Sequence, residues 1–307
     1  MQHRYELVLE FWDRSKYLST SNTEYRNFSL RLLTILLEND IRKGDLTTSS
    51  LPLNKKISAE IISKEKGILS GLEEYKLLNR GFKIKSMKND GDKIKNGDVI
   101  LQIHGSASEI LKRERVSLNI LQRMSGIATL AAELSKKLSR KIKLAATRKT
   151  LWGSLDKKAV SLGGGLTHRL SLNDGIIIKD NHLKILNDDV EKAITLAKNK
   201  SSCIEIEVEN SGQALRAATA IKKIRKPDNK TNNLFAIMFD KMRPTEINNI
   251  TKEFKKRDLY DYVLLEASGN ITASNIMSYN NCGVDVVSLG SLTNSSPSLN
   301  MSQEIIN

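Results

Sequence analysis

From about residue 140 onward the chain alternates strictly between short apolar runs and amphipathic helical stretches, and that rhythm restricts the fold more than any other feature. Lys143 to Ala146, Ile176 to Ile178, Cys203 to Val208, Leu234 to Phe239, Tyr262 to Leu265 and Val284 to Ser288 read as strands. Residues 155–162, 188–198, 212–223, 245–254 and 272–279 read as helices between them. Repeated βα units require a parallel sheet, open or closed. Closure into a barrel is the expectation. No glycine-rich dinucleotide turn follows the first strand, and polar residues stand at the carboxyl end of every strand rather than of two adjacent ones. Those ends carry Arg148 and Lys149, Lys179, Glu207, Asp240, Ser268 with Gly269, and Gly290 with Ser291. In a βα barrel they converge on one mouth.

The first part of the chain reads as α+β with a small antiparallel sheet. Residues 31–38 form an amphipathic helical pattern, Leu46-Thr47-Thr48 starts an extended stretch, and residues 57–63 alternate as a strand. A helix is expected from Glu73, turns at Asp90-Gly91-Asp92 and Asn96-Gly97-Asp98, a strand over 99–103, and a long helix from Ala107. Arg113, Glu114 and Arg115 interrupt the apolar side of that helix, which taken alone suggests surface ion pairs. Residues 1–30 carry Tyr5, Leu7, Val8 and Phe11 but cannot be placed from their pattern.

A chain of 307 residues can bury a large core as one domain or two. No signal peptide or membrane-length apolar run is visible, so the cytoplasm is the expected address. Cys203 and Cys282 are too few for a disulfide framework and lack metal-ligand spacing. The net charge of +14 attracts polyanions of any kind. Much of it lies in dispersed runs such as Lys255-Lys256-Arg257, and only 5% of residues are aromatic, which disfavours a nucleic-acid surface.

The chemistry concentrates in residues 144–183, where Arg148, Lys149, His168, Arg169, Lys179 and His182 can all bind anions. Gly163-Gly164-Gly165, directly before Thr167-His168-Arg169, suggests backbone passing close to a ligand. In the third strand Glu205, Glu207 and Glu209 share one face, and inside a barrel they need cationic or hydroxyl partners. The loops after residues 267 and 289 offer small residues and backbone N–H groups of the kind that hold phosphate. A ligand with a phosphate, a sugar and a carboxylate-bearing partner would satisfy these groups, which is the pattern of phosphoribosyl transfer.

These segments resemble a known family. Arg148-Lys149-Thr150, Gly163 through Arg169, Ile178-Lys179-Asp180-Asn181-His182, Glu205 through Asn210, Leu265 through Gly269, and Gly283 through Gly290 are similar to quinolinate phosphoribosyltransferases, also called carboxylating nicotinate-nucleotide pyrophosphorylases. Gly44 through Thr48, Gly67 through Gly71, Asn96 through Val99 and Glu114 through Asn119 agree in order, so the resemblance spans roughly 30–298. It implies an α/β sandwich domain over 1–125, with 1–30 an unplaced extension. An incomplete β/α barrel of seven-stranded type would follow over 126–307, its last segment returning to the first domain.

The resemblance also implies roles. Arg148, His168, Arg169 and Lys179 would bind the two carboxylates of quinolinate, with Arg115 arriving from the second subunit of a homodimer. Lys149, Glu207 and Asp240 would be catalytic: Lys149 on the pyrophosphate of phosphoribosyl pyrophosphate (PRPP), the carboxylates on the ribose hydroxyls and a magnesium shell. Ser268, Gly269, Asn270, Gly290 and Ser291 would hold the 5′-phosphate. Magnesium would travel on the pyrophosphate, with no protein metal cage, nucleic acid or membrane involved. Some residues depart from the family's usual pattern: Ala146 for an acidic residue, Trp152-Gly153 for Pro-Gly, Lys241 for Asn, Asn270 for Gly and Asn294 for His. Alternatives in view are a paralogue associated with molybdate uptake, an enzyme using nicotinate, and a basic nucleic-acid-binding scaffold.

Overall fold

The computed structural model describes residues 2–225 and 232–306, and every element below belongs to these. In chain order the helices are α1 (Gln2–Trp12), α2 (Thr23–Ile41), α3 (Leu46–Ser49), α4 (Leu72–Leu78), α5 (Ala107–Lys137), α6 (Ser154–Leu162), α7 (Asp180–Ile185), α8 (Val190–Ala197), α9 (Ser211–Ile224), α10 (Pro244–Lys256) and α11 (Ser291–Asn294). The strands are β1 (Lys56–Ser63), β2 (Gly67–Ile68), β3 (Lys83–Ser86), β4 (Lys93–Ile94), β5 (Val99–Ser106), β6 (Lys143–Ala145), β7 (Ile176–Ile178), β8 (Cys203–Val208), β9 (Leu234–Asp240), β10 (Leu264–Ser268), β11 (Val286–Ser288) and β12 (Met301–Ile306). Two compact units result, one of Ser15–Glu133, Thr150–Gly164 and the residues from Leu292 on, the other of the residues up to Arg14, Leu134–Lys149 and Gly165–Ser291.

The first unit is built on an antiparallel sheet of order β12-β1-β5-β3. Ile57, Ala59 and Ile61 alternate inward along β1 and meet Ile103, Leu72 and Tyr75 in one apolar cluster. The C-terminal strand completes the sheet by pairing with β1. Leu46-Thr47-Thr48 is helical rather than extended, because the Asp45 carboxylate accepts the Thr48 N–H at 3.0 Å and caps the turn. The glycine run also differs from expectation. A Cβ on Gly163 would lie 2.2 Å from the Ala128 carbonyl of α5, and Gly164 has φ +85°, so these two glycines serve helix packing and a turn.

Buried charges in this unit come with partners. Lys158 reaches Glu73 at 2.9 Å and Glu74 at 2.8 Å. Asp156, fully buried, takes two hydrogen bonds from Arg123 at 2.9 and 2.8 Å and also accepts from the N–H groups of Leu151 and Trp152. The Trp152 ring in turn lies under the Arg123 guanidinium at 5.2 Å.

The second unit holds a parallel sheet of order β6-β11-β10-β9-β8-β7. The expected seventh strand is reduced to one residue, Leu166, which bridges to Ala145 beyond the β6 edge. Pairing stops there because His168 turns away in the left-handed region at φ 56°. Residues 2–14, which the sequence left unplaced, close the amino end of this sheet. Val8, Phe11 and Trp12 pack on Ala145, Leu166, Cys203, Leu234, Leu264 and Val286, most of them at strand starts. Arg4 grips Asp285 with two contacts of 2.7 Å. Two boundaries shift: Tyr260–Tyr262 forms a 3-10 turn, so β10 starts at Leu264, and the segment expected as a helix over 272–279 is a 3-10 helix at Ile276–Asn281.

Removing one partner of a buried charged pair strands the other. Asp156→Ala should therefore lower unfolding stability by roughly 3–5 kcal/mol in urea titrations. Asp156→Asn, which keeps an acceptor, should lose less.

Candidate active site

The carboxyl ends of the parallel strands surround a cavity of about 420 Å³ lined entirely from the second unit. Arg148 and Lys149 follow β6, Lys179 follows β7, and Glu207 lies near the end of β8. Asp240 ends β9, Ser268, Gly269 and Asn270 follow from β10, and Gly290 follows β11. His168 and Arg169 join them from the turn after Leu166. Two expected site residues are not part of this lining: Ser291 opens α11, and Arg115 is exposed on α5 in the other unit. His182 accepts the Lys179 N–H through Nδ1 at 2.9 Å, capping α7.

One end of the cavity is strongly cationic. Arg169 is anchored by a 2.7 Å bond from its guanidinium to the Gly175 carbonyl, and burial followed by repulsion from Arg148 lowers its pKa. Arg148 has no ion-pair partner among the described residues. Two guanidinium groups close enough to repel each other form a receptor for an anion.

The middle of the cavity carries paired charges. Lys179 Nζ lies 2.9 Å from Glu207 Oε2, and Lys241 Nζ lies 2.6 Å from Asp240 Oδ2. That bond is the main reason the Lys241 ammonium is raised. At the far end the β10 loop is drawn tightly against the β9 end, with the Lys241 N–H donating to the Ser268 carbonyl at 2.8 Å. A Cβ on Gly269 (φ +80°) would come within 2.5 Å of Asp240 Oδ1, so only glycine fits. Asn270 and Lys241 both take positive φ, 56° each, a conformation asparagine accepts with less strain than most residues.

Glu266, in the cavity wall, and Glu205, beside it, are both fully buried. His168 Nε2 is 3.4 Å from Glu205 and 3.2 Å from Glu266, while its Nδ1 accepts the Arg169 N–H at 2.8 Å. The partner expected for Glu205 was a strand-end cation or a sugar; it is the histidine. Burial opposes charge on the imidazole, but Glu266 and Glu205 outweigh it and push it up to about 9. Burial, reinforced by Glu266, pushes Glu205 up to about 7. Because Nδ1 is taken by a backbone N–H, the added proton rests among Nε2 and the two carboxylates. The three side chains have a metal-site composition, yet a proton on Nε2 removes the nitrogen a metal would use.

Glu266, Ser288 and Lys241 line the cavity although the sequence reading gave them no role. Their signal was strand parity: Glu266 stands two residues before Ser268 and Ser288 two before Gly290, each on the inward face.

Comparison with known proteins agrees with this geometry. Residues 45–125 match the quinolinate phosphoribosyl transferase N-terminal domain, and residues 127–304 match its C-terminal domain. The chain belongs to the quinolinate phosphoribosyltransferase family. A probable carboxylating nicotinate-nucleotide pyrophosphorylase of Methanothermobacter thermautotrophicus is 36% identical over 281 residues, covering 88% of this chain and 96% of that one. One from Bacillus subtilis is 36% identical, covering 90% and 92%. The crystal structure of NadC from Streptococcus pyogenes superposes with a TM-score of 0.76 at 31% identity, over 90% of this chain and 96% of that one. No helix among the described residues is long and apolar enough to cross a membrane.

The buried trio fixes the sign of a pH effect. Unfolded, a glutamate near 4.5 and an imidazole near 6.5 release protons that the folded cluster retains up to about 7 and 9. This contribution to stability is complete at low pH and lost as pH rises through that window. The melting temperature should fall between pH 5 and pH 9 by calorimetry, and Glu205→Gln should flatten the lower half of the fall. An unaltered slope in that variant would locate the effect elsewhere.

Proposed function

We propose that this chain is a quinolinate phosphoribosyltransferase, converting quinolinate and PRPP to nicotinate mononucleotide, pyrophosphate and carbon dioxide. The carrying observation is what one cavity brings together: two guanidinium groups, two carboxylates and a glycine-bearing loop. The cavity's cations Arg148, Arg169 and Lys179 together suit a dicarboxylate better than the single carboxylate of nicotinate. His168 accepts the Arg169 N–H through Nδ1 and turns Nε2 towards two buried carboxylates, so its part is to hold Arg169 in place.

In this reading Ser268, Gly269, Asn270 and Gly290, with Ser291 at the following helix, hold the 5′-phosphate, and Lys149 meets the pyrophosphate. Glu207 and Asp240 face the ribose hydroxyls. They leave their lysines for the substrate, and their negative charge stabilises the oxocarbenium-like carbon. The pyridine nitrogen forms its bond to C1 while the bond from C1 to pyrophosphate oxygen breaks and the leaving group takes the electron pair. The ring nitrogen, now cationic, then stabilises the pair left at C2 as carbon dioxide departs, and a proton from water fills that position. Magnesium bound to PRPP would supply charge neutralisation at the pyrophosphate, with Glu207 and Asp240 the residues that would meet its shell. The pocket suits this, since it offers Glu207 and Asp240 rather than a multi-carboxylate cage.

The decisive assay mixes protein, quinolinate, PRPP and magnesium and measures nicotinate mononucleotide with released carbon dioxide. Product from nicotinate but not quinolinate would overturn the choice of substrate. Arg169→Ala should cut kcat/KM by about a thousandfold, roughly 4 kcal/mol of transition-state stabilisation, while circular dichroism stays unchanged. An unchanged rate would remove Arg169 from the carboxylate site.

The assembly proposed is a cytoplasmic homodimer in which the exposed Arg115 completes the partner's site. Mixing inactive Arg115→Ala and Arg169→Ala subunits should restore about a quarter of wild-type activity, because each mixed dimer regains one intact site. No recovery after subunit exchange would show that each chain supplies its own Arg115.

A further inference from the structure

Glu266 is fully buried in the cavity wall and has neighbours on two sides. One carboxylate oxygen accepts the Ser288 hydroxyl at 2.5 Å, and Ser288 Oγ lies 2.9 Å from Ser268 Oγ. A hydroxyl carries one proton, and Ser288 faces two acceptors with it, the Glu266 carboxylate and Ser268 Oγ. The other oxygen of Glu266 lies 3.2 Å from His168 Nε2 but makes no aligned hydrogen bond. Beyond the ring, Nδ1 accepts the Arg169 N–H at 2.8 Å.

Ser268, Ser288, Glu266, His168 and Arg169 thus form one row of contacts, half-buried at Ser268, buried beyond it, and incomplete between Glu266 and His168. It starts at the loop read as the phosphate site and ends at the backbone N–H of Arg169, whose guanidinium is read as part of the carboxylate site. A buried carboxylate oxygen left without an aligned donor demands an explanation. A contact incomplete before ligands bind, in a site otherwise built to shape, is one that a ligand can complete.

We propose that Glu266 is a positioning residue that couples the two ends of the site. A phosphate that takes the Ser268 proton leaves Ser268 Oγ as an acceptor for the Ser288 hydroxyl; drawn that way, Ser288 loosens its hold on the carboxylate, whose other oxygen can then align with His168 and so set Arg169 for the aromatic dicarboxylate. Glu205, 3.4 Å from the same nitrogen and without a hydrogen-bond partner of its own, holds the ring between two acceptors and leaves Glu266 as the link to the serines. Linkage requires that the dicarboxylate tighten PRPP by the same factor that PRPP tightens the dicarboxylate. The inference rests on the functional reading above, and its test separates the two.

Benzene-1,2-dicarboxylate keeps both carboxylates but lacks the nucleophilic nitrogen, so it binds without reacting. Its affinity would be measured by calorimetry with and without PRPP and magnesium, on wild type, Glu266→Gln and Ser288→Ala. Ser288→Ala breaks the row of contacts while leaving every charge in place. The expected result is a coupling of about tenfold in wild type, within the ordinary range for linked sites, falling towards one in both variants. In Glu266→Gln the KM for quinolinate should rise more than kcat falls, with melting temperatures of both variants close to wild type. Retained coupling in either variant would overturn the proposal, as would a lowered melting temperature with unchanged KM and coupling. Wild type binding both ligands without coupling would overturn it and leave the proposed reaction standing. Wild type binding neither would overturn the reading of the site itself.

Discussion

A carboxylate removed from water must find a cation or a hydrogen-bond donor, and the interior of the parallel sheet holds two carboxylates side by side, Glu205 and Glu266. Their shared partner is one imidazole, and the local backbone is shaped to deliver it. His168 adopts φ 56° and donates its own N–H to the Trp12 carbonyl at 2.7 Å. The N-terminal helix that caps the amino end of the sheet therefore also helps fix the ring facing the carboxyl end. Thr167, which accepts the Arg14 N–H at 2.8 Å, adds a second tie between the same segments. Arg169, next in sequence, inherits its position from both.

Much of this was legible in the chain because it follows from period. β-branched runs alternating with helical stretches required a parallel sheet, and polar residues at every strand end required a common mouth; eleven of the residues singled out do line one cavity. What stayed hidden depended on partners distant in sequence. Val8 and Phe11 were visible as apolar residues without a placed element, and nothing local says that strand starts more than a hundred residues away will cover them. Asp45 as a helix cap outweighed the extended preference of two threonines. The glycine run was read towards a ligand because its closest neighbour, the Ala128 carbonyl, belongs to a helix thirty-five positions earlier.

Glu266 shows a subtler limit. Its parity with Ser268 was available, yet a single glutamate within an apolar strand gives no sign of its partners until the register aligns it with Val286 on one side and Met238 on the other. That register brings Ser288, two residues beyond Val286, alongside Ser268. Chemistry on one strand was readable; chemistry shared between strands was not.

The pocket's cations divide into two kinds, and the division bears on how a ligand enters. Lys179 and Lys241 hold their carboxylates as surface ion pairs, with 46% and 61% of each lysine side chain exposed. Such pairs contribute little and exchange readily, so releasing Glu207 and Asp240 to a sugar costs about 1 kcal/mol or less for each pair. At Arg169, burial and then repulsion from Arg148 disfavour the charge, and an anion bound beside the two guanidinium groups offsets both. Attraction at one end and cheap rearrangement in the middle favour a dicarboxylate and a sugar phosphate over an extended polyanion, for which the charge of +14 alone would have argued equally well.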